Sequence, residues 1–200
     1  YSRPDGVGLI NTNSGELTSL VDITPLNTHG DWAWTPGMAW ASDNQSIYLV
    51  THAAPSGLIS PEESQNFDLV TNSLINHLPT TLVQQTGMFA NPAVSSLQEE
   101  DSQLNYKIAF LHAIFPTQSK TSRYQLNIMN KDGTNVVALF PAEGQSGLQP
   151  QTPVWAPQRA DSGGTYIGII YEGNLWIVDS TSGQSQQITG DGLTSQIDWR

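Results

Sequence analysis

The chain has 200 residues, of which 38% are hydrophobic and 8% aromatic, so it is long and apolar enough to bury a globular core. Seven scattered basic residues against eighteen acidic ones give a net charge of −11, so we expect neither nucleic acid nor an anionic membrane as a partner. The chain has no cysteine, which excludes disulfides, thiolate catalysis and cysteine-ligated metals, and no apolar stretch has the length of a spanning helix.

One unit of predicted strands recurs along the chain. Short runs rich in Val, Ile, Tyr and Trp are bounded by Gly, Pro, Asn and Asp, whereas helical periodicity is hard to find, so we expect an all-β domain. Each unit has a Trp-containing strand (s1), two apolar strands (s2 and s3) and, after a turn with Gly or Asn, a Thr/Gln-rich strand (s4). Such a four-stranded repeat indicates the architecture of the domain but not its chemical activity.

The chain opens inside a unit. Residues 7–20 align without gaps with residues 175–188 of the clearest copy, so the partial unit at 5–22 contains s3, a Gly turn at Gly15 and s4. The first complete unit covers about 37–86 and places Trp40 in its s1 strand.

Two more complete units and a fragment follow. The second covers about 91–141 and has Val94 where the s1 Trp is expected; the third covers about 152–190, with 158–164 in place of a tight turn after s1. Residues 193–200 open another s1. Because they lie inside the repeated unit, four Trp residues are expected in the core: Trp40, Trp155, Trp176 and Trp199.

These units resemble a known family. Residues 40–44 (Trp-Ala-Ser-Asp-Asn) with 47–50 (Ile-Tyr-Leu-Val) look like the W-S-P-D-G plus I-x-Y/F signature of TolB-like β-propellers, a WD40-like (PD40) repeat family. Residues 175–179 (Leu-Trp-Ile-Val-Asp) are similar to that family's I-W-V-x-D. The resemblance implies four-stranded antiparallel blades and protein interaction in a bacterial periplasmic, secreted or cell-surface setting, without cofactor.

The units do not add up to a closed ring. Three complete blades plus an s3-s4 pair at the start and an s1 at the end leave the shared blade without its s2 strand. We therefore expect residues 1–200 to form one propeller domain that is part of a larger propeller, of six or seven blades, in a longer parent chain. The alternative is a compact four-bladed closure in which Tyr1 to Arg3 contributes a degenerate strand.

One end of the predicted strands carries the long connections. Because strand direction alternates within a blade, the s2-to-s3 and s4-to-s1 connections emerge on the same side. Long loops on a rigid scaffold commonly carry binding residues, so this side, the long-loop face, is the candidate functional surface. Its long connections are 22–37, 53–66, 112–123 and 141–151.

Three histidines fall on the long-loop face. His52 and His112 each end an s2 strand in neighbouring blades, and His29 lies in the first long loop. They could converge as ligand-binding or acid/base groups, with Glu62, Glu63 or Asp31 completing a metal set. The alternative is that each one caps a strand or hydrogen-bonds a loop, because no H-x-H or H-x-x-x-H spacing forces them together. His77 is expected to be exposed.

Trp32 and Trp34 are the other candidates for partner binding. They alternate with Ala33, which places both rings on one side of an extended segment, where they could stack on a sugar or an apolar side chain. Packing against the adjacent blade is the alternative.

No catalytic motif emerges. The acidic runs 62–63 and 99–101 are adjacent loop residues that point apart, and no nucleophile elbow, P-loop or dinucleotide fingerprint is present. The favoured function is a non-catalytic module that binds a protein, peptide or glycan. Two alternatives stay open: a propeller that gates a prolyl-oligopeptidase-like peptidase, and a propeller lyase or lactonase with a metal.

Overall fold

The computed structural model describes residues 1–52, 59–100, 103–157 and 165–199, and for 99, 100 and 103 it describes the backbone only. The replaced turn at 158–164, the side chains of the acidic run 99–101 and part of the long loop 53–66 lie outside the described residues. The described strands are β1 (Ser2–Arg3), β2 (Gly6–Ile10), β3 (Leu17–Asp22), β4 (Met38–Trp40), β5 (Ser46–His52), β6 (Phe67–Ser73), β7 (Pro79–Val83), β8 (Ala93–Val94), β9 (Gln98–Glu100), β10 (Gln103–Asn105), β11 (Lys107–Ala113), β12 (Tyr124–Asn130), β13 (Val137–Phe140), β14 (Val154–Trp155), β15 (Tyr166–Tyr171), β16 (Asn174–Asp179) and β17 (Ser185–Gln187).

The protein is all-β and built from antiparallel sheets. Three sheets have four strands each, in the orders β4-β5-β6-β7, β8-β11-β12-β13 and β14-β15-β16-β17. These strands fall where s1 to s4 were expected in each complete unit, so the prediction of four-stranded antiparallel sheets is confirmed. Helix is limited, in the described residues, to the 3-10 turns Pro61–Glu63 and Pro116–Gln118, neither of which could span a membrane.

Four sheets stack face to face in chain order: β1-β2-β3 is the first, and the three four-stranded sheets are the second, third and fourth. Side chains along each strand point alternately to opposite faces, so one strand supplies two apolar clusters. In β11, Ile108 and Phe110 pack toward the second sheet, whereas Ala109 and Leu111 pack toward the fourth. A separate cluster, which includes Val7 and Leu49, joins the first sheet to the second.

The s1 strands, which lie at one edge of their sheets, touch between sheets. β4 contacts β8, and β8 contacts β14. Across the second of these contacts, the indole Nε1 of Trp155 donates a hydrogen bond to the carbonyl oxygen of Ala93, 3.0 Å away. The s1 strands therefore connect neighbouring sheets along one edge.

The first sheet is shorter than the others. It has three strands, β1-β2-β3, and β1 pairs Ser2 with Val7 and Arg3 with Gly6, so residues 2–3 do add a short strand beside s3. The described strands do not close into a ring.

Two features of the s1 strands differ from expectation. Trp40 was expected in the core but is 49% exposed, and its Nε1 donates to the nearby Asn44 Oδ1 at 2.7 Å. Trp155 donates to the s1 strand of the preceding sheet. The sheet that precedes Trp40 has no s1 strand among its described residues, so Trp40 lacks the equivalent acceptor. Residues 191–199 form no strand, although Trp199 lies beside Gly168 on the fourth sheet.

A short hairpin was not predicted. β9 and β10 pair with each other between β8 and β11, inside the s1-to-s2 connection of the third sheet. Neither strand carries an alternating apolar pattern, which explains why the sequence did not reveal it.

Candidate functional site

The long loops are bonded to one another across the long-loop face. Asn27 Nδ2 donates to Glu63 Oε1 at 2.7 Å, and the His29 ring Nε2 lies 2.9 Å from Glu63 Oε2. The hydrogen bond from His29, and then that from Asn27, lower the pKa of the Glu63 carboxyl. The loop 23–37 is thereby attached to the 3-10 turn at Pro61–Glu63.

A second set of bonds joins the loop 84–92 to the loop 114–123. The backbone N–H of Met88 donates to Ser119 Oγ at 3.1 Å. The Tyr124 hydroxyl donates to the Ser119 carbonyl at 2.7 Å and lies 3.4 Å from the backbone nitrogen of Phe89. Because Ser119 and Tyr124 are fully buried, this linkage is shielded from water.

Trp34 fastens the first loop to the core. Its ring is only 2% exposed, packs edge-on against Phe67 and His52, and donates from Nε1 to the Met88 carbonyl at 2.9 Å. Trp34 therefore packs against its neighbours, as the alternative to ligand binding expected, and almost none of its surface is accessible to a ligand.

Trp32 has the opposite environment. It is 39% exposed, and its inner side stacks on Phe89 with ring centroids 6.5 Å apart and an interplanar angle of 28°. Lys120 Nζ lies 5.4 Å from the centre of the Trp32 ring and donates to the Thr28 carbonyl at 2.8 Å. We call Trp32, Phe89 and Lys120 the aromatic patch.

His52 is buried in the core. It is 8% exposed, and its Nε2 donates to the Thr24 carbonyl at 2.7 Å. Burial lowers the pKa of the imidazole, an effect that the Thr24 carbonyl partly opposes. This is the behaviour expected of a histidine that anchors a loop.

His112 lies in β11 opposite Gln125 and is half-buried, and burial lowers its pKa as well. His29 is largely exposed, whereas His52 is buried. Within the described part of the chain, no three His, Cys, Asp or Glu side chains are grouped so that they could hold a metal ion. The structure therefore pairs His29 with Glu63 but assembles no shared site from the three histidines.

A cleft of about 430 Å³ opens between the third and fourth sheets. The described residues that line it belong to connections of the long-loop face and the strand ends beside them: 123, 146–147, 149–151, 170–173 and 195. Arg123, Tyr171 and Glu172 are the ionisable residues that line it.

The sequence did not indicate every residue that lines these two features of the long-loop face. Phe89, Lys120 and Arg123 come from different loops, so no local spacing signals that the first two lie beside Trp32 or that the third borders a cleft. Their only signal was their position in s4-to-s1 or s2-to-s3 connections.

No family model matches the chain, and no curated protein matches it either.

Proposed function

We propose that this chain forms TolB-like β-propeller blades and acts as a non-catalytic binding module. Four-stranded antiparallel sheets that stack face to face in chain order, with their s1 strands in contact, support the blade assignment. The motifs at 40–50 and 175–179 support it independently.

The observation that carries the binding proposal is the ring of Trp32, which is 39% exposed and contacts Phe89 and Lys120. An exposed Trp that is braced by Phe89 and Lys120 loses little side-chain entropy when it meets a partner. Such aromatic anchors dominate the energy of many interfaces.

The loops around the aromatic patch favour a preformed surface. The loop 23–37 is bonded to Glu63, Met88 and Lys120, which belong to three other connections of the same face. A surface with so many cross-links needs little rearrangement on binding.

The chemistry of the patch indicates the class of partner. A flat ring stacks on a sugar or on an apolar side chain, and the ammonium of Lys120 attracts an oxygen-rich group. We propose a protein, peptide or glycan partner in an extracytoplasmic compartment, with the loops of the long-loop face as the contact surface.

The test is quantitative capture with matched aromatic variants. Immobilised wild-type protein, Trp32→Ala and Trp40→Ala are exposed to a bacterial envelope extract and to a glycan array, and the affinity for each retained partner is then measured. Trp40 is the control because it is similarly exposed but lies beside the s1-to-s2 turn, at the other end of the strands.

We expect Trp32→Ala to weaken binding about tenfold or more, as the loss of an aromatic anchor does, and Trp40→Ala to leave it unchanged. Equal retention by the Trp32 variant and the wild type, or a loss seen only with Trp40→Ala, would refute the proposal.

A further inference from the structure

The cleft between the third and fourth sheets has the features of a second, smaller site. Its volume, about 430 Å³, lies within the range of small-ligand sites. Hydroxyl, amide and guanidinium groups line it beside apolar surface. The residues that matter are Arg123, Ser146, Gln149, Ile170, Tyr171 and Ser195.

The walls of the cleft are fixed by hydrogen bonds. Leu148 and Tyr124 exchange two backbone bonds of 2.7 and 2.9 Å. The side-chain amide of Gln151 pairs with both the N–H and the carbonyl of Ile170, each at 2.7 Å, as a strand residue would. The site is therefore formed before any ligand arrives.

The remaining wall is fixed as well. The N–H of Thr194 donates to the Gly173 carbonyl at 2.8 Å, which holds Ser195 beside the turn between β15 and β16.

Arg123 differs from the other basic residues that the structure describes. Arg3 pairs with Asp5, Lys107 bonds Asn130, and Lys120 and Lys131 each lie over an aromatic ring. The guanidinium of Arg123 has no hydrogen bond, ion pair or ring contact with any described residue. In a chain of net charge −11, an unneutralised cation at the wall of a cleft attracts anions.

The position of Arg123 is fixed at its base. Its carbonyl accepts bonds from the Ile114 N–H at 2.9 Å and from the Ser122 hydroxyl at 2.6 Å. Gly147 packs so closely that a Cβ placed there would lie 2.6 Å from the Cβ of Arg123.

The other residues that line the cleft restrict which anions it can bind. Glu172 also lines the cleft but is beyond ion-pair distance of Arg123, so it leaves the guanidinium unpaired and repels a doubly charged anion more than a singly charged one. Burial, and then the charge of Glu172, raise the pKa of Tyr171. Ile170, Pro150 and the Tyr171 ring provide apolar surface nearby.

We infer that this cleft binds the C-terminal carboxylate of a peptide through Arg123, with the terminal apolar side chain against Ile170 and Pro150. A guanidinium offers two parallel N–H groups that match a carboxylate, and the hydroxyls of Ser146 and Ser195 can bond the terminal peptide unit. The inference rests on the proposal that the long-loop face is the binding surface.

The test compares two peptides that differ in one group. Acetyl-Ala-Ala-Leu with a free carboxylate and the same peptide with a C-terminal amide are titrated into the whole 200-residue chain. Isothermal calorimetry gives the affinity, and amide NMR shifts at Gly147, Gly173 and Ser195 locate the site. Free glucuronic acid is a third ligand, because it carries a carboxylate without a peptide.

We expect the free-acid peptide to bind with shifts at those amides, and the amidated peptide to bind about tenfold more weakly or worse. Arg123→Gln should show the same loss with the free acid. Arg3→Gln removes one positive charge elsewhere on the molecule and should bind as the wild type does. Thermal unfolding of both variants checks that they remain folded.

Equal affinity for acid and amide, unchanged binding by Arg123→Gln, or glucuronic acid bound as tightly as the peptide would each overturn the inference. If the peptide fails while Trp32-dependent capture persists, only the cleft assignment is lost. If Trp32→Ala has no effect on capture, the proposed function is lost regardless of the peptide result.

Discussion

Trp32 and Trp34 stand two residues apart and have opposite roles. Both rings contact the segment at Met88 and Phe89, as expected of alternate side chains on one side of an extended segment. Trp34 lies further in, where Phe67 and His52 enclose it, and Trp32 remains 39% exposed at the rim. Sequence alone could indicate the shared direction but not the depth of each ring, because depth depends on residues that lie on other strands and loops, such as Phe67 and Phe89.

We expect Trp34→Ala to lower the free energy of unfolding by about 3–5 kcal/mol, since it removes a fully buried ring and leaves a cavity. Trp32→Ala should cost less than about 1.5 kcal/mol, the scale of a single ring contact at the surface. Urea denaturation monitored by circular dichroism measures both changes. Similar losses for the two variants would show that the distinction between core ring and surface ring is wrong.

His52 makes the stability of the fold depend on pH. Burial lowers its pKa in the folded chain, so the unfolded chain binds a proton more readily, and stability is lost as the pH falls from about 6.5 toward the folded-state pKa. His112 contributes in the same direction because burial also lowers its pKa. The pKa values of Glu63, Asp132 and Asp179 are lowered in the folded chain. These carboxyls therefore stabilise the fold at neutral pH, and that contribution is lost only as the pH falls below the ordinary carboxyl pKa.

Between pH 7.5 and 5, the free energy of unfolding of the wild type should decrease by up to about 1.4 kcal/mol per pH unit for each extra proton bound on unfolding. His52→Gln should reduce this slope, whatever the stability of the variant at pH 7.5. Denaturation curves at six pH values provide the slopes. A slope that is the same in wild type and His52→Gln would contradict the assignment.

At the scale of the element, two-residue and Gly turns define where strands reverse. The turn between β15 and β16 has left-handed backbone at both Glu172 (φ 51°) and Gly173 (φ 72°), which suits the tight antiparallel pairing of Tyr171 with Asn174. The carbonyl of Gly192 packs against Gly173, where a Cβ would lie 2.3 Å from that oxygen. The turn thus positions the segment that carries Ser195.

Gly15 offers a matched comparison for this turn. It has φ 73°, nearly the value at Gly173, but a Cβ there would meet nothing within 4 Å. We expect Gly15→Ala to cost about 1 kcal/mol for the backbone conformation alone, and Gly173→Ala to cost clearly more because the Gly192 carbonyl must move. If the two variants lost the same free energy of unfolding, measured by thermal or urea denaturation, the 191–195 segment would be able to move away from Gly173 at no cost.

Elements with a strong apolar pattern could be predicted, and elements defined by their neighbours could not. The buried strands β5 and β11, with at least four consecutive buried residues each, end within one residue of His52 and His112, where the s2 strands were expected to end. β1 and the β9–β10 hairpin have two or three residues per strand and no such pattern, so only the tertiary structure defines them. Trp40 was misjudged because its burial depends on an s1 strand in the adjacent sheet.

At the scale of the whole molecule, the sheets differ in how many of their faces are covered. The second and third sheets have an apolar cluster on each face, whereas the described first sheet shares only one cluster, with the second. The fourth sheet has its cluster with the third, and Ile197 and Trp199 lie beside Gly168. Local opening should therefore be easiest in the first sheet.

Native-state hydrogen exchange can test this order. We expect the amides of β5 and β11 to exchange slowest, at rates near those set by global unfolding, and the amides of β1 and β3 to exchange at least about a hundredfold faster. Trp155→Phe removes the hydrogen bond to the Ala93 carbonyl and should lower protection in β15 and β16 more than in β5. Protection in β2 and β3 equal to that in β5 would mean that the four sheets open only as one unit.

The alternation of side chains within each strand also constrains how such a chain can diverge over generations. A deletion within β11 would turn the residues on one side of it to the opposite face of the sheet, so that Ile108 and Phe110 would enter the interface that now receives Ala109 and Leu111. A deletion in an exposed stretch such as 142–145 exchanges no partners. Lineages that keep this architecture should therefore accumulate insertions and deletions in the connections between strands. Inside each strand, the face to which each residue points should stay the same.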